Sequence, residues 1–139
     1  MLNTYLTFDG SCREAFEFYR SVFGGEFSIV QTFGEGPPDM GVAEAEKDRL
    51  MHVSLPVGDS VLMGSDSCSG FGPPPVAGTN FSISIAPRSR AESDRLFARL
   101  SEGGTVKMPM ADMFWGAYFG ALTDRFGVAW MINCEDVED

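Results

Sequence analysis

The chain has 139 residues, 20 acidic against 10 basic, with a single His and three Cys. At roughly 100–200 residues per domain this length gives one domain, and a 44% hydrophobic, 12% aromatic composition supplies a sizeable core. A net charge of −10 argues against nucleic-acid backbones and anionic membrane, which both need clustered Lys and Arg, and one His cannot build a multi-His metal site in one chain.

Leu2–Phe8 alternates as a half-buried strand with Leu6 and Phe8 on one face. Ser11 and Glu14 have the spacing of a capping box, opening a helix whose apolar side carries Ala15, Phe16, Tyr19, Val22 and Phe23. Gly24 and Gly25 stop it. Strands are predicted over Glu26–Phe33, Leu50–Val57 and Asp59–Ser65, with Gly34–Gly41 as a loop and a turn at Gly58. Ser69–Thr79, with three consecutive Pro, reads as a stiff linker. The pattern then repeats. Phe81, Ile83 and Ile85 alternate with Ser82 and Ser84; Ser89 and Glu92 form a second capping box; Leu96, Phe97 and Leu100 give the helix its apolar side; Gly103 and Gly104 end it. Strands are predicted over Thr105–Met110, Tyr118–Thr123 and Val128–Cys134, with a turn at Asp124–Gly127. Both halves therefore read βαβββ, module one over about 1–68 and module two over about 80–134, within a single domain that ends in an acidic tail, 135–139.

The three Cys lack any CxxC spacing and no charged, apolar leader opens the chain, so a reducing cytoplasm is the expected location. Apolar runs such as Gly127–Ile132 fall far below the ~20 residues of a membrane span. Cys12, near a helix N-terminus, is expected to be an inert small residue. Neither glycine loop suits a phosphate: GEGPPDMG has Pro where backbone donors are needed and no following Lys.

Three strings, Tyr5–Glu26 (YLTFDGSCREAFEFYRSVFGGE), Met51–Asp66 (MHVSLPVGDSVLMGSD) and Phe114–Asn133 (FWGAYFGALTDRFGVAWMIN), resemble in order and spacing the vicinal oxygen chelate superfamily of glyoxalase I, extradiol dioxygenases and bleomycin- and fosfomycin-resistance proteins. The chain is most similar to its PhnB-like branch, sometimes labelled 3-demethylubiquinone methyltransferase-like. The resemblance implies an α+β fold of two βαβββ modules whose mixed sheets curl around a cavity, and a homodimer. In metal-dependent members, side chains of the first and last strands of the modules converge on a divalent ion. Carried onto this sequence, those positions fall at Asn3 or Thr4, Leu62 or Met63, Asn80 or Ser82, and Met131. None is a carboxylate or imidazole, so a hard or borderline ion would be held weakly and no metal or other cofactor is expected.

His52 is the one side chain whose unperturbed charge changes near neutrality. It reads either as a partly exposed strand or subunit-contact histidine, or as a cavity acid/base or ligand anchor acting with Asp66. Ser65, His52 and Asp66 assemble on paper into a triad, without a nucleophile elbow to support it. Phe114, Trp115, Tyr118 and Phe119 form an aromatic concentration after a Met-rich stretch, either core or the wall of a small-molecule pocket. Trp130 and Phe126 read as core, and Asp124 as the stabiliser of its own turn. Candidate catalytic residues are thus His52 and Asp66, and candidate cavity residues are Asn3, Tyr5, Met63, Ser65, Asn80, Phe114, Trp115 and Met131. The expected function is small-molecule binding in an apolar-aromatic cavity without the usual metal ligands. The alternatives are a metal-dependent lyase, isomerase or dioxygenase with shifted ligands such as His52 and Asp66, and metal-free acid/base catalysis by His52. Methyl transfer is not expected, since the chain lacks a nucleotide-type glycine fingerprint and is short for the usual fold that binds S-adenosylmethionine.

Overall fold

A computed structural model describes residues 1–135; positions 136–139, most of the expected acidic tail, lie outside the described residues. The chain divides into two compact units, Met1–Val76 and Ala77–Asp139, the division falling inside the Pro-rich segment. Each is described by itself.

In the first unit, β1 (Thr4–Phe8), α1 (Cys12–Phe23), β2 (Ile29–Thr32), β3 (Leu50–Val57) and β4 (Ser60–Asp66) follow in chain order. The sheet runs β1-β4-β3-β2, with β1 parallel to β4 and the remaining pairs antiparallel. The second unit repeats the plan with β5 (Ile83–Ile85), α2 (Arg90–Ser101), β6 (Thr105–Asp112), β7 (Tyr118–Thr123) and β8 (Ala129–Cys134) in the order β5-β8-β7-β6, again with first and last strands parallel. The α+β class and the two βαβββ modules hold as read from the sequence.

Period-two alternation decides the faces. Leu6 and Phe8 of β1, Val53 and Leu55 of β3, and Leu62 and Gly64 of β4 are buried on the side that receives α1. The helix supplies Ala15, Phe16, Tyr19 and Val22, all at most 1% exposed, and the Phe16 ring meets Phe8 and Tyr19 edge-on. Gly64 is what admits that ring: a Cβ there would lie 2.5 Å from Phe16 Cε1 and 2.9 Å from the Leu6 carbonyl oxygen. In the second unit Leu122, Trp130 and Ile132 fill the corresponding face with Leu96 and Leu100 of α2.

Several boundaries differ from the sequence reading, each for a local reason. β1 begins at Thr4 rather than Leu2, because Met1 and Leu2 are almost fully exposed and have no core to face. β2 is confined to Ile29–Thr32, since Phe33 turns inward (8% exposed) at the start of a short 3₁₀ segment. β5 starts at Ile83, leaving Phe81 64% exposed outside the strand. Ser89 caps α2 as expected, accepting a hydrogen bond from the Glu92 N–H. The box predicted for α1 does not form: the Ser11 side chain makes no cap bond, and a carboxylate from β4 takes that role. Gly24 ends α1 at φ 80°, a conformation few other residues accept.

Gly64→Ala is expected to destabilise the protein by about 1–3 kcal/mol, because Phe16 and the Leu6 backbone must both give way; chemical denaturation measures it.

Candidate functional site

The face of the first sheet opposite α1 gathers the polar positions of three strands. Tyr5 stands in register with Met63, and Thr7 with Ser65. Ser54 stands opposite Met63 and Ile29, and His52 opposite Gln31. His52 lies on this face because it is two residues from Ser54 on one strand and out of phase with the buried Val53 and Leu55.

His52 has partners on both ring nitrogens. Tyr5 Oη lies 3.1 Å from Nδ1 and Ser54 Oγ lies 2.9 Å from Nε2. The Tyr5 ring also stacks on the imidazole, with centroids 5.6 Å apart and planes at 28°. Ser54 is 4% exposed and Tyr5 48%, so the series runs from the buried sheet outward to solvent.

Asp66 does not join this group. Its side chain faces α1, where Oδ1 accepts hydrogen bonds from the backbone N–H groups of Gly10 and Cys12 and Oδ2 accepts one from Leu50, each at 2.9 Å. Both oxygens are thereby engaged in holding the start of α1 and the start of β3, and the pairing of His52 with Asp66 read from the sequence is replaced by His52 with Tyr5 and Ser54. Ser65 shares the open face, but the serine on the imidazole is Ser54. That residue was missed, although its i, i+2 spacing from His52 on a strand was the signal for it.

The positions derived for metal ligands are sorted by strand phase. Thr4 and Leu62 face α1, so the open-face residues are Tyr5 and Met63. Asn3 precedes β1 and its Oδ1 accepts from the Val61 N–H at 3.2 Å. In the second unit Met131 lies on the open face opposite Ser84, not Asn80 or Ser82: those two precede β5 and are exposed. Neither the first unit's phenol, already bonded to imidazole, with its thioether, nor the second unit's hydroxyl with its thioether, fits a hard or borderline divalent ion. Among the described residues there is no group of three or more His, Cys, Asp or Glu placed to hold one.

The aromatic group divides. Tyr118 turns to the α2 side, donates to Asp94 Oδ1 at 2.6 Å and carries the Arg90 guanidinium 4.3 Å above its ring. Phe114 and Trp115 sit on the β6–β7 connection at 97% and 52% exposure, packed edge-on with each other, and Trp115 likewise meets Phe119. Phe114 is therefore not enclosed by this chain. Asp124 behaves as expected of a turn acid, accepting from the N–H groups of Phe126 and Val128, and it also receives the indole N–H of the buried Trp130 at 2.8 Å. Cys12 is fully buried, and burial pushes its thiol up to about 12, which keeps it protonated and inert at neutral pH.

With that geometry in hand, the chain matches over residues 1–133 the family described as 3-demethylubiquinone-9 3-methyltransferase. The chain belongs to this family. It is 30% identical to Protein YjdN of Escherichia coli (strain K12), covering 95% of this chain and 93% of that one. It is 45% identical to protein PA1353 from Pseudomonas aeruginosa, whose crystal structure superposes with a TM-score of 0.86 over 97% of both chains. The fosfomycin resistance protein FosX from Listeria monocytogenes, solved with Mn(II), shares the fold alone, at 11% identity and a TM-score of 0.64 over 96% of this chain and 90% of that one. In this family member, no described helix is long and apolar enough to cross a membrane.

Asp66→Ala is expected to cost about 3 kcal/mol or more, since three backbone donors lose a charged acceptor. Asp66→Asn should fall between, because its oxygen keeps Gly10 and Cys12 while its amide meets the Leu50 N–H donor to donor. Urea midpoints of the two variants check the order.

Proposed function

We propose that this PhnB-like, glyoxalase-fold protein binds a small molecule on the open face of its first sheet, around Tyr5, His52 and Ser54, without the divalent ion of its chelating relatives. One observation carries the reading: the strand positions that would aim ligands at an ion hold Tyr5 and Met63 in one unit and Ser84 and Met131 in the other. Asn3, Met63 and Ser65 border the same face or its edge and serve as secondary contacts, whereas Asn80 lies outside β5. The reading with shifted ligands at His52 and Asp66 is disfavoured, because both Asp66 oxygens are committed to backbone donors. The family description names a methyl transfer; neither glycine loop supports a cofactor cradle for it.

A homodimer is part of the proposal. β2 is an edge strand with Ile29 and Val30 43% and 39% exposed, and its unpaired backbone groups and apolar side chains offer a surface that a twofold partner can cover. A reducing cytoplasm is part of the proposal, supported by Cys12 and Cys68, both buried and outside any disulfide.

Elemental analysis of protein purified without a His-tag is expected to find substoichiometric Zn, Ni, Mn and Fe; one equivalent of any of them sinks the metal-free reading. Light scattering at micromolar concentration is expected to give twice the 15.1 kDa chain mass, and a single monomeric species would remove the dimer.

A further inference from the structure

The bonds around His52 have a direction that burial decides. Ser54 is 4% exposed, and its hydroxyl has one partner among the described residues, His52 Nε2. A hydroxyl offers one donor and two acceptor sites, and a buried O–H that donates to nothing forfeits more than an unused lone pair does. Ser54 therefore donates to Nε2, which makes Nε2 the unprotonated nitrogen of the neutral ring. Nδ1 then carries the hydrogen and donates to Tyr5 Oη, 3.1 Å away. With a lone pair so engaged, the O–H of the half-exposed Tyr5 turns outward, and each bond in such a chain strengthens the next as a donor.

We infer that Ser54, His52 and Tyr5 form a directed relay that presents the Tyr5 hydroxyl, as a hydrogen-bond donor, to the carbonyl oxygen of an uncharged small molecule. This rests on the proposal that the open face of the first sheet is a small-molecule site, and it adds the ligand's chemistry. The neighbours fix the class. Met63, in register with Tyr5, and Ile29, opposite Ser54, offer apolar surface for the body of such a molecule. The remaining open-face side chains, Thr7, Gln31 and Ser65, are neutral, and none of these strand positions is Lys or Arg. A carboxylate would lose its hydration there without gaining a counter-charge, and would do so against a net charge of −10. A neutral carbonyl loses little and gains the phenol.

Because the chain has one His, ¹⁵N-histidine labelling of the full-length protein gives a single imidazole. Long-range ¹H–¹⁵N correlation at pH 8 is expected to show the hydrogen on Nδ1, and Ser54→Ala is expected to move it toward Nε2, the form favoured in water. A wild-type ring protonated on Nε2 overturns the relay. Titration with acetophenone should shift the Tyr5 ring and Met63 methyl signals, with Tyr5→Phe binding about three- to tenfold more weakly, the worth of one hydrogen bond. Benzoate should bind more weakly than acetophenone. Equal acetophenone affinity in Tyr5→Phe overturns the donor role alone, and benzoate binding as tightly as acetophenone overturns the ligand class. Signals unmoved by either compound overturn the carbonyl site together with the small-molecule reading beneath it.

Discussion

The buried carboxylate of Asp66 connects the last strand of the first unit to two segments far from it in sequence, and the rest of that unit is arranged around this tie. One oxygen holds Gly10 and Cys12 at the corner where β1 becomes α1; the other holds Leu50 where β3 begins. Bonds from amides to a charged acceptor are roughly twice as strong as neutral ones, and here they stand in for the helix cap that Ser11 does not make. Asp124 does the same on a smaller scale in the second unit, where Phe126, Val128 and Trp130, all within six residues of it, donate to its carboxylate. The two units share a plan, but the first is locked by a long-range acid and the second by a local one.

With α1 held in place, strand phase assigns every other side chain. Leu62 and Gly64 go beneath the helix while Met63 and Ser65 go to the open side, so a one-residue error in phase would exchange core for site. This explains why the fold was legible in the sequence: strand alternation, the S-x-x-E spacing and glycine stops recur in the same order in both halves, although only Ser89 caps its helix. β3 and β7 have the boundaries expected of them. What the sequence did not reveal were onsets that depend on burial by distant segments, as at Phe33, and caps supplied from another strand, as at Cys12.

The site was legible in part and for the same reason. Tyr5, Met63, Ser65 and His52 were all among the candidates, and strand phase does put them on one face. Asp66 was misplaced because its spacing from His52 says nothing about which side of β4 it faces. Ser54 was overlooked because an alternating Ser on a strand looks like ordinary solvent-facing filler. The sequence offers Asn80 or Ser82 rather than Ser84 because the resemblance gives the strand but not the residue at which pairing starts, and β5 is only three residues long. The aromatic group split because Tyr118 and Phe119 are adjacent, and adjacent strand residues cannot share a face.

The parallel pairing of first and last strands also governs how the chain is made. Thr4 finds its sheet partner only in Leu62, and the helix start finds its cap only in Asp66. During synthesis β1 and α1 must therefore wait, unpaired, until nearly the whole first unit has left the ribosome, and the pieces then close in one late step.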